Sequence, residues 1–258
     1  MIKVPLLLLG LLLGMLNLSL AQTSQRLNLQ IGPGHLRLLD LQAAPVTYRG
    51  LGPHLRLGYE RKQARGEWQY QLRYGLMAIQ AADKDIRQSR GFGFGAHNLA
   101  LQAGYNYRLV EGASWAFSAG VGLRQELLLD FGSVGAFPWI FGQGNVLLQA
   151  KYDYQRGPHQ LSAGAAVPIF SWITDMPYHQ IPRLEGRAPD VYTVFAVGTR
   201  VPSWSSYQRV DLNLNYAYEL NEAWSLSAHY QWSWYRDEQP DDLWAYQGIL
   251  SLGFDRRW

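Results

Sequence analysis

The chain has 258 residues, a formal net charge of +3 and no cysteine. The lack of cysteine excludes disulfides, thiolate metal sites and lipid attachment at an N-terminal Cys, and so small a charge without a basic run gives no footing for nucleic acid. Hydrophobic residues make up 48% of the chain, yet mean hydropathy is −0.19, so the apolar residues are dispersed and not gathered in blocks.

Residues 1–21 read as a secretory signal peptide. Lys3 supplies a short positive region, Pro5–Leu20 is almost wholly apolar, and Ser19-Leu20-Ala21 is a small-x-small cleavage site before Gln22. The mature chain, 22–258, has no further stretch suited to a membrane helix. It alternates instead, with the period of two that marks β-strands. Leu27, Leu29 and Ile31 open the first strand, whose continuation past Gly32-Pro33-Gly34 the pattern leaves open. Leu55–Tyr59, Trp68–Leu76, Leu99–Tyr107, Trp115–Leu123, Val146–Tyr154 and Leu161–Ile169 carry the same alternation. Val210–Leu220, Trp224–Trp234 and Leu243–Trp258 complete about ten strands, with twelve as the alternative. The run Val191–Val197 is read as an extension of the longest loop, because an added strand would make the count odd.

The linkers near residues 64, 111, 157 and 221 are tight, and those near 45, 85, 137, 188 and 239 are longer. Short turns on one side and long loops on the other match a membrane barrel with both termini in the periplasm. A soluble sandwich or lipocalin-like barrel also alternates, but its inward face is apolar. Here the apolar registers run five or six alternate positions, the span of a tilted membrane strand. The opposite register holds Arg56, Glu60, Arg73, Arg124, Glu126, Lys151, Asp153, Arg209 and Asp211. So many charges do not fill a dry core. Ten Trp and 16 Tyr suit aromatic girdles at two interfaces. The fold class is all-β: a single transmembrane antiparallel barrel.

With its leader, its alternation and its aromatic C-terminus, the chain resembles bacterial outer-membrane β-barrel proteins. Its aromatic-rich style is also similar to barrels of Bacteroidota, which carries no activity with it. Leu250-x-Leu252-x-Phe254-x-x-x-Trp258 resembles the C-terminal signal read by the barrel-assembly machinery of that class. The resemblance implies export to the outer membrane, contact with its lipid and lipopolysaccharide, and the assembly machinery as a partner during insertion.

Inside the barrel, Arg56, Arg73, Arg124 and His229 are expected near mid-depth, with Lys151 among the charges around them, Glu126, Asp130, Arg209 and Asp211 nearer the outside and Glu60, Asp153 and Glu219 nearer the periplasm. Two readings follow: a salt-bridge network that plugs the lumen, or a narrow anion-preferring pore. The apolar loops Phe131–Gly144 and Ser171–Tyr207 point either to a ligand, lipid or protein partner or to mutual packing as a lid. Ser227 and His229 share a strand face, but their order and lumenal side depart from the His-x-Ser pair of outer-membrane phospholipases. An enzymatic alternative is a surface-loop hydrolase of omptin type using Asp83, Asp85, Asp175 and His179 as general-base groups. The Asp-x-His spacing of the omptins is absent, since Asp175 and His179 stand four apart. The histidines are scattered without metal-ligand spacing, so no metal or cofactor is expected. Deleting Arg256–Trp258 is expected to strand the protein in the periplasm; surface labelling of intact cells checks this, and normal delivery would remove the C-terminal signal.

Overall fold

In a computed structural model of the protein the described residues are 24–40, 44–81, 94–130, 139–176, 199–238 and 242–258. The expected signal peptide lies outside them, as do Val191–Val197. The strands are β1 (Ser24–Asp40), β2 (Ala44–Lys62), β3 (Gly66–Ala81), β4 (Phe94–Glu111), β5 (Trp115–Asp130), β6 (Trp139–Arg156), β7 (His159–Met176), the two-residue β8 (Thr199–Arg200), β9 (Tyr207–Glu219), β10 (Trp224–Asp237) and β11 (Leu243–Arg257). The ten long strands pair antiparallel with their neighbours, β7 passing over β8 to pair with β9. The ring closes where β1 meets β11, from Arg26↔Arg257 to Asp40↔Leu243. The fold is a closed ten-stranded antiparallel barrel.

Four tight turns and both ends of the described chain gather at one end of the barrel, called here the turn end. There Gln25 and Trp258 exchange backbone hydrogen bonds of 3.1 and 3.2 Å, pinning the closure. The β6–β7 turn places Gly157 at φ 57°, a conformation that favours glycine. The remaining connections lie at the opposite, loop end. Two of them differ from expectation. β1 ends at Asp40 and β2 starts at Ala44, while β10 ends at Asp237 and β11 starts at Leu243, so the linkers near 45 and 239 are short. The strands are longer than their lipid-type registers, and the extra length lies toward the loop end.

The reason is an inversion of polarity along the strands. In the turn-end half, Leu27, Leu29, Leu57, Leu101, Val121, Leu212, Leu226, Leu250 and Leu252 face outward and are exposed. Aromatic pairs ring that end on the same outer surface, including Trp68–Tyr105 with centroids 4.9 Å apart and Trp115–Tyr152 at 6.2 Å. Toward the loop end the apolar residues turn inward: Leu36, Leu38, Tyr48, Met77, Ile79, Leu128, Phe141, Ile173, Tyr207, Tyr235 and Leu243 form a buried cluster inside the barrel. On β1 the switch falls at Gly32-Pro33-Gly34. Pro33 stands opposite Pro53, and neither can donate to a ladder. The β1–β11 pairing skips Gly32 and Pro33, and the β2–β3 pairing skips Gly52 and Pro53. A strand search keyed to outward apolar residues stops at this level, though the strands do not.

Leu226 and Leu250 are 42% and 50% exposed, whereas Ser227 is 5% exposed. Leu226→Arg or Leu250→Arg is expected to cost about 2–4 kcal/mol near mid-bilayer, read from urea titration of the barrel folded into lipid vesicles. Unaltered stability in both would reverse the inside–outside assignment.

Candidate functional site

The lumen is built in three layers by the inward register of the long strands. At mid-depth five charged side chains converge from three strands: Arg73 on β3, Arg124 and Glu126 on β5, Arg209 and Asp211 on β9. All are almost completely buried. Glu126 is the hub. It lies 3.1 Å from Arg73 Nη2 and 3.0 Å from Arg209 Nη2. It also accepts 3.2 Å hydrogen bonds from Asn98 Nδ2 and Gln143 Nε2. Arg209 grips Asp211 through Nε and Nη2 at 3.0 Å. Arg124 Nη1 stands 2.7 Å from the Asp211 carboxylate, in ion-pair contact without the angle of a hydrogen bond. Its Nε and Nη2 donate to Gln102 Oε1 at 3.0 and 2.7 Å. Since β3 and β9 lie across the barrel from each other, the chain Arg73–Glu126–Arg209–Asp211–Arg124 spans the lumen.

Above this layer, on the loop-end side, sits the apolar cluster. The two are joined by Tyr207, whose hydroxyl donates to Gln143 Oε1 at 2.5 Å, and by Arg209, whose guanidinium lies 5.7 Å from the Tyr235 ring centre. His54 occupies the inner wall between two glycines. A Cβ on Gly34 or Gly75 would lie 2.2 or 2.3 Å from its ring nitrogens, so both positions must stay bare for the imidazole to lie flat.

Below, at the turn end, the lumen opens into a polar cavity of about 370 Å³. Arg56, Glu60, Lys151, Asp153 and His229 line it; none of the five mid-depth residues does. Arg56 donates to Gln30 at 2.8 Å and to Gln71 at 3.3 Å. Lys151 Nζ donates to Glu67 at 2.8 Å and lies 3.4 Å from Asp153. Arg26 pairs with Asp255. His229 is buried, and among the described residues neither ring nitrogen has a hydrogen-bond partner.

The residues expected together at mid-depth divide between two sets. Arg73 and Arg124 meet Glu126, Arg209 and Asp211. Arg56, Lys151, Asp153, Glu60 and His229 stand apart in the cavity. Lys151, Asp153 and Glu60 sit nearer the turns along their strands, while Arg56, opposite Arg73 in register, turns to Gln30 and Gln71 beside the cavity. Ser227 does not reach His229. Its hydroxyl donates to Asp255 at 3.0 Å and accepts from Gln30 at 2.8 Å. Of the loop residues, Asp83, Asp85 and His179 lie outside the described residues, as does the side chain of Asp175. Sequence reasoning passed over Asn98, Gln102, Gln143, Glu67 and Asp255. Each is in the polar register, and the signal was the recurrence of amides beside the charges there.

A scan against protein families finds no match, and neither does a search of curated proteins. Among solved structures, the outer-membrane protease OmpT from Escherichia coli matches with a TM-score of 0.52 at 9% identity, over 94% of this chain and 99% of that one. At this identity the likeness shows the fold alone. The translocator domain of the autotransporter NalP from Neisseria meningitidis matches at 0.40 with 10% identity, over 98% and 94% of the chains. The toluene transporter TodX from Pseudomonas putida matches at 0.31 with 7% identity, over 93% and 90%. Those two scores are too low to carry an argument. The closed barrel fold is one that the outer-membrane protease shares.

Removing a single partner from a buried ion network leaves an uncompensated charge. Glu126→Leu is therefore expected to cost about 3–5 kcal/mol, while Glu111→Gln, at an exposed pair with Arg108, costs no more than about 1 kcal/mol. Urea unfolding in lipid vesicles compares the two, and equal effects would show that the network carries no stability.

Proposed function

We propose that the protein is an integral outer-membrane barrel, exported through a cleaved signal peptide, that performs no catalysis and is largely closed to solute flow. The observation that carries this reading is the sequence of fillings along the lumen. An apolar cluster stands directly on a buried ion network, and a cavity lies below them toward the turn end. A ten-stranded barrel is little wider than the eight-stranded kind that side chains fill. The outward belt of leucines between aromatic pairs supports residence in a bilayer. Both termini then lie on the periplasmic side with the tight turns. Leu250, Leu252, Phe254 and Trp258 all face outward and are at least half exposed, a surface suited to recognition by the assembly machinery.

A closed barrel acts through what it holds outside its lumen. Its role is that of a binding or scaffold protein, with the loop end presented to a partner. The engagement of Ser227 by Asp255 and Gln30 supports the non-catalytic reading, because that hydroxyl serves a structural network and not an imidazole.

Planar-bilayer recording of the purified protein tests the closure. The expected result is no conductance, or small steps only. Large, stable, non-selective channels would overturn it. Small anion-selective steps that vanish in Arg73→Ala or Arg124→Ala would replace the closed barrel with a narrow pore.

A further inference from the structure

On the outer wall near the loop end, β1 and β2 set Arg37 directly opposite Arg49. Both belong to the outward register, since Leu36, Leu38 and Tyr48 beside them are buried inside. Directly opposed side chains of an antiparallel pair have Cβ atoms about 5 Å apart, and like charges there repel. Among the described residues no ion pair offsets the repulsion, and the nearby Arg236 takes up Glu238 and Asp242. The Nε of Arg37 is buried with no hydrogen-bond partner among the described residues. Its guanidinium stands 5.5 Å from the Trp244 ring centre and 6.0 Å from that of Tyr246 on β11. A ring contact of this kind engages the guanidinium plane and uses none of its N–H donors.

Depth identifies what meets those donors. Ten residues of β1 separate Arg37 from Leu27, which is about 25 Å at the usual strand rise and tilt, the height of the apolar band of such barrels. If Leu27 marks the lower edge of the band, Arg37 and Arg49 stand at the upper edge, at the level of lipid headgroups. Below them Leu51, Ile31 and Leu250 are 65%, 63% and 50% exposed. We propose that Arg37 and Arg49 form a site for the phosphate of an anionic membrane lipid, whose acyl chains lie on Leu51, Ile31 and Leu250. A phosphate accepts paired N–H donors from both guanidinium groups and cancels their repulsion. The proposal rests on the membrane reading above.

Native mass spectrometry of the protein released from detergent tests it, with phosphatidylglycerol, lipid A or phosphatidylcholine added in separate arms. The wild-type protein is expected to keep one-to-one adducts of an anionic lipid, with phosphatidylcholine bound far less. Arg37→Gln/Arg49→Gln is expected to lower adduct occupancy by about tenfold or more while heat-modified gel mobility stays that of the folded barrel. Arg61→Gln, an outward arginine at the turn end, leaves occupancy unchanged. Equal adducts in the double variant, equal binding of phosphatidylcholine, or displacement of the lipid by inorganic phosphate would each overturn the site. A separate vesicle-flotation assay reads the membrane premise: wild-type protein that stays soluble without detergent sinks that premise, whereas protein that floats yet shows unaltered adducts in the double variant sinks only the lipid site.

Discussion

For the membrane barrel proposed here, backbone hydrogen bonding in a medium without water is the constraint on which the structure depends. In hydrocarbon an unmet N–H or C=O costs several kcal/mol, so a membrane-spanning sheet has to close on itself. The closure between β1 and β11 runs from the turn end to the loop end with a break at Gly32 and Pro33, and is tied off by Gln25 and Trp258. Once the ring is closed, every strand has a fixed inner and outer face, and the side chains follow from what each face meets. Leucine and aromatics outside and amides and charges inside are consequences of the closed ladder, not its cause.

The inner face then meets a second constraint. A narrow lumen is neither bulk water nor oil, so charges in it need partners of opposite sign close by. The mid-depth set meets this with Glu126 between two arginines and Asp211 between two arginines. Amides fill the remaining donor and acceptor positions, as Gln102 does for Arg124. Further toward the loop end the barrel abandons charge altogether and packs like a soluble protein, with Phe141 stacked on Tyr235 at 5.8 Å. The chain thus uses a membrane-type cross-section in one half and a soluble-type cross-section in the other.

That division explains what was legible in the sequence. All ten long strands and the inward set of charges follow from a period of two, because outward leucines such as Leu226 and inward groups such as Arg73 sit in unbroken registers. Strand length was not legible, since the apolar residues of Leu36, Leu38 and Tyr48 change faces while the period continues. The partition of the charges was not legible either. Arg56 and Arg73 are direct partners in register, yet one donates to amides beside the cavity and the other to Glu126. Which of two neighbours reaches which acid depends on tilt and side-chain direction, and alternation encodes neither.

The ion network also lies where the wall is weakest. The β6–β7 ladder runs from Ile140↔Met176 to Arg156↔His159, but the β7–β9 ladder stops at Ala166↔Asp211. Beyond that point Pro168 has no N–H to give, a bulge leaves Ile169 and Phe170 both exposed, and β7 turns to pair with β8 through Ile173↔Arg200 and Thr174↔Thr199. Among the described residues the loop-end part of β9 has no ladder partner on that side. Arg209 and Asp211 are the residues of β9 at and just above the last paired position, and both are tied across the lumen to β5 through Glu126 and Arg124. Ion pairs that span the interior brace the strand that the ladder leaves half-held. A network of this kind is retained because the same five side chains both close the lumen and secure its seam, two demands that an apolar filling would meet only in part.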